Sequence, residues 1–191
     1  LVGSEMCIRD SIYTRRGSQF TLSAQFTPPY SLFSKKDYKS LYESSSRADR
    51  EELYRWIEYY KIKFKSRVYT PLNNSEKYTL VLMGRADFGL LGSYNKYKQT
   101  PFETFHVGGD GMTGSYTYAT ETIGLRGYDN GALTPYSDGR AYTRFSMELH
   151  FPFLLQPSST IYGLAFVEGG NAWTSLENFN PFSLKLSLIH I

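Results

Sequence analysis

Tyr60-Lys61-Ile62-Lys63-Phe64-Lys65-Ser66-Arg67-Val68-Tyr69 is the stretch that decides the fold. Ile62, Phe64 and Val68 alternate with Lys61, Lys63, Lys65 and Arg67. Period two is the signature of an extended strand with two different faces, so this one strand carries four cations on one side and apolar side chains on the other.

The same parity recurs on both sides of it. In Gln19 to Thr27, Phe20, Leu22, Ala24 and Phe26 oppose Gln19, Thr21, Ser23, Gln25 and Thr27. Tyr78 to Leu91 sets Leu80, Leu82, Ala86, Phe88 and Leu90 against Thr79, Arg85 and Asp87. In Ala141 to Phe151, Thr143, Phe145, Met147, Leu149 and Phe151 oppose Tyr142, Arg144, Ser146, Glu148 and His150. Strands of about ten residues suit a tilted crossing of a bilayer better than the five or six typical of soluble sheets.

Composition points the same way without deciding it. The chain holds 17 tyrosines and 13 phenylalanines, yet mean hydropathy is only −0.40. No apolar run approaches the ~20 residues of a membrane helix. A membrane β-barrel reads like this because only every second residue meets lipid; a soluble β-sandwich with a tyrosine-rich surface has the same composition. A net charge of +3 and pI near 8.8, with no basic cluster interleaved with a nucleic-acid-reading motif, exclude nucleic acid as the expected partner.

The connections separate into two classes. Pro71 to Lys77 and Phe153 to Ser159 read as tight turns, rich in Pro, Asn and Ser. Pro28 to Trp56, Gly92 to Gly139 and Trp173 to Pro181 are longer than hairpin loops. Short and long alternate, so the short ones gather at one end of the strands and the long ones at the other, as in outer-membrane barrels. Within the first long loop, Ser46 to Glu58 resembles a helix start: Ser46 as cap, Asp49, Glu51 and Glu52 early, and Leu53, Trp56 and Ile57 on one face.

The two ends are set aside. Met6 to Ser11 can be written in codons whose reverse complement spells Leu186-Ser187-Leu188-Ile189-His190-Ile191. Residues 1–11 and 186–191 are therefore expected to be a translated adapter, leaving 12–185 as the native segment. Cys7, the chain's single cysteine, falls in that region. A chain without cysteine fits an exported protein lacking disulfides, and fits many cytoplasmic domains equally.

Most chemical motifs fail on inspection. Gly108-Gly109-Asp110-Gly111 is followed by no helix whose N-terminus could hold an anion. Asp129, Asn130 and Asp138 with Gly131 and Gly139 lack the alternating oxygen spacing of a calcium loop. His106 and His150 are too few for a structural metal site. No Gly-x-Ser-x-Gly elbow is present, and Glu148 and Glu168 lack the aromatic platform expected of a sugar site. No catalytic residue, cofactor or metal is called for.

Gly124-Leu125-Arg126-Gly127-Tyr128-Asp129-Asn130-Gly131 sets one cation among glycines in a long loop, and Phe166-Val167-Glu168-Gly169-Gly170-Asn171-Ala172-Trp173 sets one carboxylate in an apolar strand. A half-buried arginine needs a partner, and a guanidinium binds carboxylates bidentately. Arg126 and Glu168 are the expected pair, testable by charge swap.

Taken with Phe105-His106-Val107-Gly108-Gly109 and Met147-Glu148-Leu149, in this order, the chain resembles the Omp85 superfamily and its bacterial surface antigen (D15) barrel domain. The likeness covers most of Ser18 to Lys185. It implies an all-β fold, an antiparallel transmembrane β-barrel segment of outer-membrane type with about five of sixteen strands. It also implies that 92–139 is a loop folding back into the lumen, with Leu125, Arg126, Gly127 and Tyr128 at its tip, Gly108 and Gly109 in its body, and Glu168, Glu148 and Phe166 as its partners in the wall. The family more often has aspartate where Glu168 stands and valine where Leu125 stands. The implied activity is non-enzymatic insertion of outer-membrane proteins or, alternatively, polypeptide secretion. Implied partners are unfolded outer-membrane protein substrates, outer-membrane lipid and accessory assembly lipoproteins reached through periplasmic POTRA domains absent from this chain.

Overall fold

The computed structural model describes residues 13–34, 36–73, 75, 78–111, 121–136, 138–156 and 159–190. Residues 1–11, including Cys7, lie outside them. The architecture is an antiparallel sheet of β1 (Gly17–Phe26), β2 (Tyr60–Pro71), β3 (Val81–Gly92), β6 (Ala141–Gln156), β7 (Ser159–Trp173) and β8 (Lys185–His190), hydrogen-bonded in that order. Two short strands, β4 (Phe105–Val107) and β5 (Glu121–Ile123), pair in parallel inside the second long loop. The first four sheet strands are those the alternation marks out, and β7 contains the apolar strand that carries Glu168. β8 is a sixth, reaching into 186–191; edge pairing uses backbone groups that every residue owns, so it demands nothing of the residues' identity.

Register converts parity into two faces. Lys63 stands opposite Ser23 and Gly89, Lys65 opposite Thr21 and Asp87, and Asp87 opposite Arg144. Ser146 stands opposite Glu168, and Glu148 opposite Phe166. The charges of β2, β3, β6 and β7 therefore share one face. The other carries Phe20, Leu22, Phe64, Phe88, Phe145 and Met147, and Leu22 is 72% exposed. A soluble sandwich would bury such a face; an apolar band this continuous is one that lipid covers. Among the described residues no helix is long and apolar enough to cross a membrane; the elements of crossing length are strands.

Turn boundaries differ from the sequence reading. Phe153 to Gln156 belongs to β6, which pairs as far as Gln156 with Ser159 and absorbs a register shift between Pro152 and Leu154. Proline has no N–H to give a ladder, so a bulge beside Pro152 lets the hairpin run on instead of ending it. At the β2–β3 turn, Tyr78 to Leu80 is not strand: the Asn73 side chain accepts from Leu80 N and donates to Tyr78 O, and Leu72 N donates to Leu80 O.

The first long loop folds into three short helices, α1 (Tyr30–Phe33), α2 (Tyr38–Glu43) and α3 (Arg47–Tyr54). The predicted helix over Ser46 to Glu58 is thus shorter. Ser46 sits at its N-cap without a side-chain capping bond, Asp49 lies in the first turn, and Leu53 is buried. Glu58 ends the helical cap by accepting Ser31 N at 2.8 Å from a fully buried carboxylate, which fixes α1 above the start of β2.

Candidate functional site

The second long loop lies back across the charged face of the sheet. It has a small core of its own: Phe105, Val107 and Ile123 pack against Leu91 and Tyr142 of the sheet, all buried. The Phe105 and Tyr142 rings meet edge to face at 4.8 Å between centroids, a favoured aromatic geometry. Tyr142 can lie across β3 because residue 89 is glycine; a Cβ there would sit 2.1 Å from the Tyr142 ring.

Backbone pairing holds the two limbs of the loop together. Leu125 N donates to Gly109 O at 2.9 Å and Gly108 N to Ile123 O at 3.0 Å. Gly108 (φ 133°) and Gly109 (φ 75°) occupy left-handed backbone regions that a side chain would strain. A Cβ on Gly108 would also come within 2.5 Å of the Asp129 carbonyl oxygen. Leu125 is fully buried and reaches the wall at Gly170, where an added Cβ would be 3.1 Å from the leucine Cδ1.

That seating delivers Arg126 onto two consecutive cross-strand pairs of β6 and β7. Its Nε donates to Glu168 Oε2 at 2.6 Å. Its Nη2 donates to Ser146 Oγ at 3.1 Å and to Glu148 Oε1. The guanidinium lies 3.8 Å above the Phe166 ring centroid, a cation–π contact. All four wall residues of the two pairs thus touch one side chain. Burial pulls the Arg126 pKa down, but the bonds to Glu168 and Glu148 more than offset it, so the group is held above its ordinary value and stays charged.

The expected pair is part of a longer chain of hydrogen-bonded side chains. Glu168, fully buried, also accepts from Arg144 Nε at 2.6 Å, and Glu148 Oε2 contacts His150 Nε2 at 3.0 Å. The order is Arg144, Glu168, Arg126, Glu148, His150, with a carboxylate between each two nitrogen bases. Such alternation is what makes buried charge tolerable, since each carboxylate keeps partners on both sides. One expectation changes, that of the charge swap: Glu168 belongs to two arginines, so a swap with Arg126 would set two guanidinium groups together. The glutamates are also fully engaged as ion-pair acceptors.

Of the residues singled out in the sequence, Leu125, Arg126, Gly108, Gly109, Glu168, Glu148 and Phe166 come together. Gly127 (φ 85°) turns the chain beyond Arg126. Tyr128 is half-buried and, among the described residues, takes no part in the ion-pair chain. Sequence reasoning missed a second anchor. Glu121 on β5 accepts from Lys63 Nζ at 3.0 Å and lies 3.1 Å from Lys61 Nζ, while Glu103 accepts from Lys61 at 3.1 Å. Burial raises the Glu121 pKa, but hydrogen bonds from Lys63 and Lys61 and their charges lower it by more, leaving it below its ordinary value. The signal was present in the lysine stripe of β2: four cations on a barrel's inner face require counter-charge from a loop.

A sheet charged on one face and apolar on the other, with long loops at one end and one of them folded onto the charged face through an arginine, is the wall of an outer-membrane type β-barrel. The chain belongs to the Omp85 superfamily, whose domain matches residues 9–189. No curated protein matches it closely enough to count as a relative. Membership locates the chain in the bacterial outer membrane and gives it a role in β-barrel assembly or polypeptide translocation, with outer-membrane proteins as the substrates such proteins typically handle.

Proposed function

We propose that the chain is barrel wall of an outer-membrane protein assembly factor of the BamA type, which inserts and folds other β-barrel proteins. The observation that supports this reading is the packing of the loop. It is held to the charged face by its own core, by the Arg126 chain of charges and by the Glu121 and Glu103 contacts to Lys61 and Lys63. A lumen filled by so firmly seated a loop leaves the wall and its strand edges as the working surfaces.

An exposed strand edge offers unpaired N–H and C=O groups to an incoming strand, and backbone pairing then templates the new barrel whatever its sequence. The process is non-enzymatic: Arg126 holds geometry and makes or breaks no covalent bond. Accessory lipoproteins would dock on periplasmic domains, and the wall would meet lipid through its apolar face.

The test is insertion of an unfolded outer-membrane protein into vesicles containing the full-length protein. Arg126→Ala should slow insertion while the protein itself still reaches the membrane. Wild-type insertion by that variant would overturn the reading. The alternative, a two-partner secretion pore, requires the loop to leave the lumen. Tethering the loop to the wall by a disulfide would then stop transport, whereas an assembly factor with a tethered loop should keep working.

A further inference from the structure

Beyond the loop and its latch, a cleft of about 300 Å³ opens among the helices of the first long loop, at the long-loop end of the sheet. Its walls include Tyr30, Trp56 and Tyr38 and three cations, Lys36, Arg55 and Lys98, against one carboxylate, Glu52. Lys98 is the unusual member. It is only 4% exposed. Among the described residues no carboxylate lies within hydrogen-bond or ion-pair distance of its ammonium; Glu52 acts on it only at longer range, and its close contact is the Tyr38 ring, 5.1 Å to the centroid. A buried ammonium so placed is under-compensated, because a ring face does not replace the hydrogen bonds water gave it. Glu52 is occupied by Lys36. The cleft therefore carries two positive charges in excess, one of them buried and aimed inward, which is a site for an anion.

The surroundings say which anion. The Tyr30 and Trp56 rings meet at a tilt of 37°, 5.3 Å between centroids. Trp56 is 57% exposed and Phe33 82% exposed. This aromatic rim sits where β1 ends at Phe26 and β2 begins at Tyr60, both on the apolar outer face of the sheet. A cationic cleft with an amphipathic aromatic rim, continuous with a lipid-facing surface, matches a headgroup above and acyl chains below.

We propose that this cleft binds the phosphate headgroup of a membrane lipid, held by Lys98, Lys36 and Arg55, with its chains along the Phe26 side of the wall. The inference rests on the membrane location of the sheet and is independent of the assembly reading.

The test uses the full-length protein refolded into phosphatidylcholine vesicles, with Trp173 and any tryptophan outside this chain replaced by phenylalanine so that Trp56 is the single tryptophan. Brominated phosphatidylglycerol, as a minor component, should quench Trp56 more strongly than brominated phosphatidylcholine at the same fraction. Each cation near an anionic headgroup is worth about a five-fold factor in binding. Lys98→Gln should therefore lower the preference by about that much. So should Arg55→Gln, an exposed position whose loss leaves the fold intact, if Lys98→Gln misfolds. Equal quenching by the two lipids would overturn the proposal, as would loss of the preference when inorganic phosphate is added at the concentration of the lipid. Failure of either kind leaves protein-insertion activity untouched, so it is distinguishable from failure of the assembly reading.

Discussion

Glu168→Ala should damage the protein more than Arg126→Ala, although the two residues form one ion pair. Removing Arg126 breaks its bonds to Glu168, Glu148 and Ser146, yet Glu168 keeps Arg144 and Glu148 keeps His150. Two charge-assisted bonds of about 1.5–3 kcal/mol each, less about 2 kcal/mol of rotamer freedom returned by the arginine, leave a cost of about 2 kcal/mol for a side chain still one-third exposed. Removing Glu168 instead strips Arg144 of the one carboxylate within ion-pair distance among the described residues. Arg144 is only 12% exposed there, and Arg126 loses its 2.6 Å bond to Glu168 as well. Leaving a buried charge uncompensated costs about 3–5 kcal/mol. The two variants should differ by about 2 kcal/mol, or about 1 M in urea midpoint at ordinary denaturant slopes. The assay is folded fraction against urea for the full-length protein, read from its heat-modifiable gel mobility. An Arg126→Ala midpoint equal to or lower than that of Glu168→Ala would refute the account of Glu168 as a shared anchor.

Three further outcomes follow from the same geometry. The double charge swap Arg126→Glu with Glu168→Arg should not restore the midpoint lost in either single variant, because the new arginine would face Arg144 and the new glutamate would face Glu148; recovery would mean the pair is isolated after all. Glu121 has a folded-state pKa below its unfolded value, so its contribution is complete above about pH 4.3, the ordinary glutamate value, and is lost as pH falls through the folded value. Protease cleavage within the loop should rise over that acid range, and Glu121→Gln should abolish the pH step. Gly108→Ala places a Cβ within 2.5 Å of a backbone oxygen at a φ of 133°, so it should cost about 1–3 kcal/mol and loosen the loop, seen as faster hydrogen exchange at Leu125 N.

The latch was legible because its parts are rare types in telling settings. Arg126 between glycines and Glu168 within an apolar strand each stood out against its neighbours. Ser146 and Arg144 did not, since a serine and an arginine on the polar side of an alternating strand look like any other wall residues. The same holds for Glu121: nothing local distinguishes it, and its partners Lys61 and Lys63 lie about sixty residues earlier. Lys98 is plainer still, one of several lysines in a polar loop until the helices close over it. The hairpin between β6 and β7 was misplaced because Pro152 reads locally as a terminator, while a bulge lets pairing continue past it.

What the sequence determines by itself is parity, and with it the class of fold. A period of two follows from strand geometry alone, so every strand's inward and outward sets could be read before any partner was known. Register could not, because it depends on which residue of one strand meets which residue of the next across connections of a few to nearly fifty residues. That decision belongs to the tertiary structure, and it extended the Arg126, Glu168 and Glu148 set into a five-residue chain by adding Arg144 and His150. The physical reason is that a charge in the barrel wall is balanced by whatever register brings within about 3 Å of it, and distance in sequence says nothing about that.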